Sequence, residues 1–122
     1  MSSQEILPGP YPSIVIHRIH GELSYDAMTA DDALGLNRGI HFVLLDASDI
    51  NLALPEDFLS GARHSYFTNP NLRHMALYTQ SNMLGTIGKM VAKLTRRQDR
   101  LSVHTDFDVA MSHLVNLYNQ AQ

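Results

Sequence analysis

Ile40-His41-Phe42-Val43-Leu44-Leu45-Asp46 is the stretch on which the fold turns. It is apolar almost without a break, and Asn37-Arg38-Gly39 sets it off from what precedes it. A strand with one wet face alternates polar and apolar residues. A continuous run of this length reads as a strand covered on both faces, as in parallel sheets flanked by helices. Outward from it, the same unit recurs: a short apolar run, a turn, then a segment with helical periodicity. The runs are Ile14–Ile19, Ile40–Leu45, Met75–Tyr78 and Leu101–His104. Parallel neighbours need a crossover whereas antiparallel ones need only a hairpin. The expected fold is therefore α/β, a single-layer and mostly parallel sheet of four to five strands with about four helices.

The intervening segments carry their own punctuation. Ser24 is a candidate N-cap for a helix over roughly Tyr25–Leu36, with Asp26 in its first turn. Pro55 suits the first turn of the next, in which Phe58, Leu59, Ala62, Tyr66 and Phe67 share a face up to Asn69-Pro70. Ser81 or Asn82 caps a third helix, where Met83, Ile87, Met90, Val91 and Leu94 form the expected buried stripe. Thr105-Asp106-Phe107-Asp108 reads as a capping box with Asp in place of Glu. It precedes the face of Phe107, Ala110, Met111, Leu114 and Tyr118. Residues 1–13 hold Pro8, Pro10 and Pro12, which predicts an extended segment, with Ile6 and Leu7 offering a short edge pairing. The 122 residues fit one domain, 1–122.

Composition excludes several function classes. An apolar share of 44% marks a globular chain. A net charge of -3 argues against a nucleic-acid partner, which would need an excess of Lys and Arg. With no cysteine there are no disulfides, thiolate nucleophiles or Cys-based metal sites. No signal peptide and no transmembrane segment are visible, so a cytoplasmic protein is expected.

In a parallel sheet, ligands bind beyond the carboxyl ends of the strands. Asp46, Ser48, Asp49, Glu56, Asp57, Thr79, Ser81 and Thr105 fall there and form a candidate ligand or partner rim. Carboxylates of this kind hold Mg²⁺, which would fit a hydrolase. The same residue types also cap helices and close turns, and this second reading takes precedence. Seven histidines (His17, His20, His41, His64, His74, His104, His113) raise the question of zinc. His17 and His20 point to opposite faces of a strand, which leaves His41 with His74 as the best pair. Gly85-Thr86-Ile87-Gly88-Lys89 lacks the spacing of a phosphate loop, and Leu59-Ser60-Gly61 lacks the first glycine of a nucleophile elbow. No catalytic residue, metal site or cofactor is implied. Lys89, Lys93, Arg96, Arg97 and Arg100 recur at helical spacing as a basic face, suited to solvent, an acidic partner or an anionic head group.

Ile16–Leu23, the Phe42–Ile50 stretch, the strand 75–79 and the Thr105–Leu114 helix together resemble the STAS domain family, specifically its SpoIIAA-like branch. The resemblance implies a non-enzymatic regulatory or protein-interaction module. It also implies a phosphorylated Ser at the helix after the central strand. The corresponding Leu52-Ala53-Leu54-Pro55-Glu56-Asp57 has no hydroxyl, so that switch is not carried over. The related CRAL-TRIO-type fold implies the alternative of a small apolar ligand or lipid, here among Phe58, Tyr66, Phe67 and the Met83–Leu94 stripe. Leu7, Tyr11, Leu52 and Leu54 form an expected apolar patch, and with it a homodimer.

Overall fold

The computed structural model describes residues 3–50 and 58–121. The strands are β1 (Ser3–Pro8), β2 (Ile14–Gly21), β3 (Phe42–Ile50), β4 (His74–Tyr78) and β5 (Leu101–His104). They lie side by side in that order, β1 antiparallel to β2 and all later neighbours parallel. The proline-rich N-terminal segment thus supplies an edge strand, with Ile6 opposite His17 and Leu7 opposite Ile16. Pro8 ends it, a position where the missing N–H costs no ladder bond inside the sheet.

The helices are α1 (Tyr25–Met28), α2 (Asp31–Leu34), α3 (Phe58–Arg63), α4 (Asn82–Leu94) and α5 (Phe107–Gln120), with 3₁₀ turns at Tyr66–Thr68 and Gln98–Arg100. From β2 to β5 the strand order advances one place at a time in one direction. Crossovers of a single hand then place their helices on one face. That face buries Val15, Val43 and Met75 with Met28, Leu34, Ala62 and Val91. The other face buries Ile14, Phe42, Leu44 and Ala76 beneath Ala110 and Leu114 of α5.

Three local expectations are corrected. The helix expected over Tyr25–Leu36 is two four-residue helices. The Thr29 hydroxyl donates to the Tyr25 carbonyl at 2.9 Å, a local bond that competes with helix continuation. Gly35 then ends α2 in the left-handed region at φ 87°, where glycine is favoured. The helix expected up to Phe67 is α3 followed by the 3₁₀ turn, and Pro55 lies outside the described residues. In α4 the expected stripe is only partly buried: Val91 is covered and Ile87 half-covered, but Met83, Met90 and Leu94 are exposed. The face on the sheet is Leu84, Gly85, Gly88, Val91 and Ala92, because the glycines permit close approach. A Cβ at Gly88 would stand 3.0 Å from Leu77 Cδ2, and one at Gly85 3.1 Å from Val103 Cγ1.

Caps follow the sequence at Ser24 and Ser81, whose hydroxyls accept from Ala27 N–H at 3.2 Å and Leu84 N–H at 3.1 Å. At α5 the cap is Asp106 rather than Thr105: its carboxylate accepts from Val109 N–H at 3.0 Å. Asp106→Ala should therefore cost about 1 kcal/mol in urea denaturation, while Thr105→Ala at an exposed position should stay within about 0.5 kcal/mol of the parent. Equal losses would move the cap back to Thr105.

Candidate functional site

β3 runs on through Ile50, so Asp46 lies within the sheet rather than beyond it. The register sets Arg18, Asp46 and Tyr78 side by side on β2, β3 and β4. Arg18 Nε donates to Asp46 Oδ2 at 2.8 Å, and Asp46 Oδ1 accepts from the Ser48 hydroxyl at 2.6 Å and the Ser48 N–H at 3.1 Å. Burial alone would raise the Asp46 pKa. The Ser48 hydroxyl, the Arg18 guanidinium and the Ser48 N–H outweigh it and hold the carboxyl below its ordinary range. A bulge between Arg18 and His20 brings His20 opposite Asp49. There the exposed imidazole bonds Asp49 at 2.9 Å and Glu5 of β1 at 2.8 Å. These two carboxylates, Asp49 first, raise the His20 pKa.

Thr79 and Ser81 are engaged through their hydroxyls and Thr105 through its backbone. Thr79 Oγ1 accepts from Ser81 N–H at 3.1 Å, Ser81 caps α4, and the Thr105 carbonyl accepts from Gln80 Nε2 at 2.7 Å. Glu56 and Asp57 lie outside the described residues. Among the described residues, no three His, Asp or Glu side chains are arranged to hold a metal ion.

The basic residues do not form one helix face. Lys89 and Lys93 lie exposed on α4, but the helix ends at Leu94 with Thr95 as its cap. Arg97 N–H donates to the Ala92 carbonyl at 2.8 Å and Arg96 N–H to that of Lys93 at 3.2 Å. This is a Schellman closure. Arg96 takes the left-handed position at φ 58°, where the sequence has no glycine to announce the stop. Arg100 turns back to the Leu72 carbonyl at 3.3 Å.

Sequence reasoning missed two histidine networks. His17 is buried between Gln4 of β1 and Tyr66 of the 3₁₀ turn, with Nε2 2.6 Å from Gln4 Oε1 and Nδ1 2.9 Å from the Tyr66 hydroxyl. A neutral ring meets both: Nε2–H donates to the amide oxygen and Nδ1 accepts from the phenol. The expected pairing of His41 with His74 does not occur, since His41 bonds the Asn71 carbonyl. His74 and His104 instead share the Ser102 hydroxyl, at 2.9 and 2.7 Å, and His113 of α5 stands over both with ring centroids 5.1 and 5.4 Å away. Period-2 alternation puts Ser102 and His104 on one face. Only the β4–β5 register, Ala76 opposite Ser102, adds His74 to it.

No family model matches the sequence, and no curated protein matches it. Solved structures do. An uncharacterized protein of the DUF3478 family with a SpoIIAA-like fold, from Shewanella loihica PV-4, superposes with a TM-score of 0.66 at 15% identity, covering 93% of each chain. This chain has the SpoIIAA-like fold. An anti-sigma factor antagonist from Mycobacterium paratuberculosis shares it, with a TM-score of 0.61 at 12% identity over 93% of each chain. Within this SpoIIAA-like framework, the Leu52–Asp57 stretch singled out for its missing hydroxyl lies outside the described residues. Between the sheet and α1, α3 and α4 lies an apolar cavity of about 100 Å³, lined by Ile19, Met28, Phe58, Leu77 and Val91 among others. Tyr66 and Phe67 line it as expected for an apolar-ligand site, but Met83, Met90 and Leu94 do not.

The two networks give a sign to the pH dependence of stability. Burial lowers the His17 pKa to about 4. Burial, then the neighbouring His113, lowers His74 to about 4, against the opposing pull of the Asp99 backbone. Burial and His113 also lower His104. The unfolded chain therefore binds protons first. Stability is fully present above the ordinary histidine value near 6.5 and is lost as pH falls towards 4, by about 1.4 kcal/mol per pH unit for each of His17 and His74. Urea midpoints measured from pH 7.5 to 4.5 should show this fall, and His74→Gln should make it shallower while leaving the His17 contribution. A flat profile in the parent would show that these rings are not held neutral.

Proposed function

We propose that this chain is a non-enzymatic, STAS-like regulatory module that acts by binding another protein in the cytoplasm. The observation that carries the reading is the state of the sheet's carboxyl rim. Asp46 is ion-paired with Arg18, Asp49 is hydrogen-bonded to His20, and Thr79 and Ser81 are spent on the start of α4. A catalytic or Mg²⁺-binding rim would keep such groups convergent and open to substrate. The SpoIIAA-like fold shared with an anti-sigma factor antagonist supports the same reading.

The apolar cavity favours a second reading, a small apolar ligand. Its volume of about 100 Å³ is below the roughly 300 Å³ at which drug-sized sites begin, so it suits a small apolar group more than a lipid chain. The homodimer expected from the sequence rests on residues engaged elsewhere or not described. Leu7 is half-buried in β1, Tyr11 stacks on Tyr118 at 4.6 Å, and Leu52 and Leu54 lie outside the described residues.

Tagged protein expressed at native level in its own host should purify with a defined protein that reconstitutes a stoichiometric complex from pure components. Millimolar Mg²⁺ should leave its melting temperature unchanged, since a ligand bound only by the folded state would raise it. A chain that stays free in that host, shows Mg²⁺-dependent stabilisation and turns over a phosphoester would contradict the proposal.

A further inference from the structure

Helix α4 is apolar on two sides, and only one of them faces the core. The inner side is built of small residues, with Gly85, Gly88 and Ala92 letting the helix lie close on the sheet. The large residues are left outside: Met83 is 61% exposed, Met90 44% and Leu94 52%, with Ile87 half-covered between them. Their spacing of four, three and four residues keeps them in one row along the helix. That is the heptad spacing by which a helix presents a seam to a second helix. Two of the four are methionines, whose unbranched, polarisable side chains adapt to the shape of an apolar partner.

Charge decides the partner. Residues 82–97 hold Lys89, Lys93, Arg96 and Arg97 and no Asp or Glu, although the chain as a whole is acidic. Lys93 is exposed at the flank of the seam, Lys89 is exposed one turn before it on the same side of the helix, and neither has an ion pair among the described residues. A second copy docked α4 to α4 would set these cations against each other. A flat anionic membrane would be met by a single narrow row without Trp, Tyr or Phe, residues favoured at the bilayer interface. An acidic helix fits both features, with its apolar ridge on the Met83–Leu94 row and its carboxylates along the lysine side.

We infer that the exposed Met83–Ile87–Met90–Leu94 seam of α4, flanked by Lys89 and Lys93, is a docking site for an acidic amphipathic helix of a partner protein. The inference rests on the interaction-module reading and gives it a surface. Two synthetic 21-residue helical peptides test it, with identical leucine heptad seams flanked by Glu in one and Lys in the other. Fluorescence anisotropy should show the Glu-flanked peptide binding at least tenfold more tightly than the Lys-flanked one. Met90→Gln with Leu94→Gln, at exposed positions that leave the core intact, should weaken it at least tenfold, and Lys89→Gln with Lys93→Gln should remove the preference for Glu. Equal binding of the two peptides would overturn the assignment. So would unchanged binding to the Met90/Leu94 variant, preferential binding of phosphatidylglycerol vesicles, or self-association abolished by that variant. If a complex isolated from the host survives Met90→Gln with Leu94→Gln, the seam is wrong and the interaction module stands. If no complex forms at all, the module reading fails, and the seam with it.

Discussion

β3 is hydrogen-bonded on both edges, by β2 and β4, and covered on both faces, by α5 on one side and the crossover helices on the other. Phe42, Val43 and Leu44 are removed from water as a result, each contributing about 1.5–3 kcal/mol of burial. The strand's register is fixed by this arrangement, since a slip of one residue would exchange its two faces. That register aligns Arg18 with Asp46 and Asp46 with Tyr78. The β4–β5 register then places His74 and Ser102 on one face of neighbouring strands, and the glycine side of α4 lies against Leu77 and Val103.

The same constraint gives Asp46 a structural role. A carboxylate inside a sheet must be compensated, and Asp46 is only 4% exposed. Arg18 and Ser48 supply that compensation, and once they do, little of the carboxylate remains for a metal or substrate. Ser81 answers a second demand, an orphan N–H group at the start of α4. On the outer surface α4 stands apart, with its bulky side chains outside and its small ones within.

The strands were legible because their signal is local: an unbroken apolar run reads as buried whatever it packs on. The edge strand β1 was foreshadowed by its prolines and by Ile6 and Leu7. The helices were harder where ends depend on detail. Thr29 closes α1 through its own hydroxyl, and Arg96 occupies a position that glycine usually marks. The buried face of α4 was misread because periodicity weighs large apolar residues and overlooks glycine, which packs by what it lacks. Asp46, Ser48, Asp49, Thr79 and Ser81 stand out residue by residue in the sequence, yet their pairings do not, because Arg18–Asp46 and His20–Asp49 depend on register and on a bulge. The His74–Ser102–His104–His113 cluster draws on three elements, and no spacing in the chain announces it.

The central claim is that Asp46 serves the fold and not a reaction. Functional carboxylates are commonly held at a cost to stability, so that neutralising them stabilises the protein. A structural carboxylate behaves the other way. Equilibrium urea unfolding of Asp46→Asn at pH 7 measures the difference directly. With Arg18 about one-third exposed, breaking the pair should cost about 1–2 kcal/mol, between the values for surface and buried pairs. A variant as stable as the parent, or more stable, would contradict the account and return the rim to candidacy as an active site.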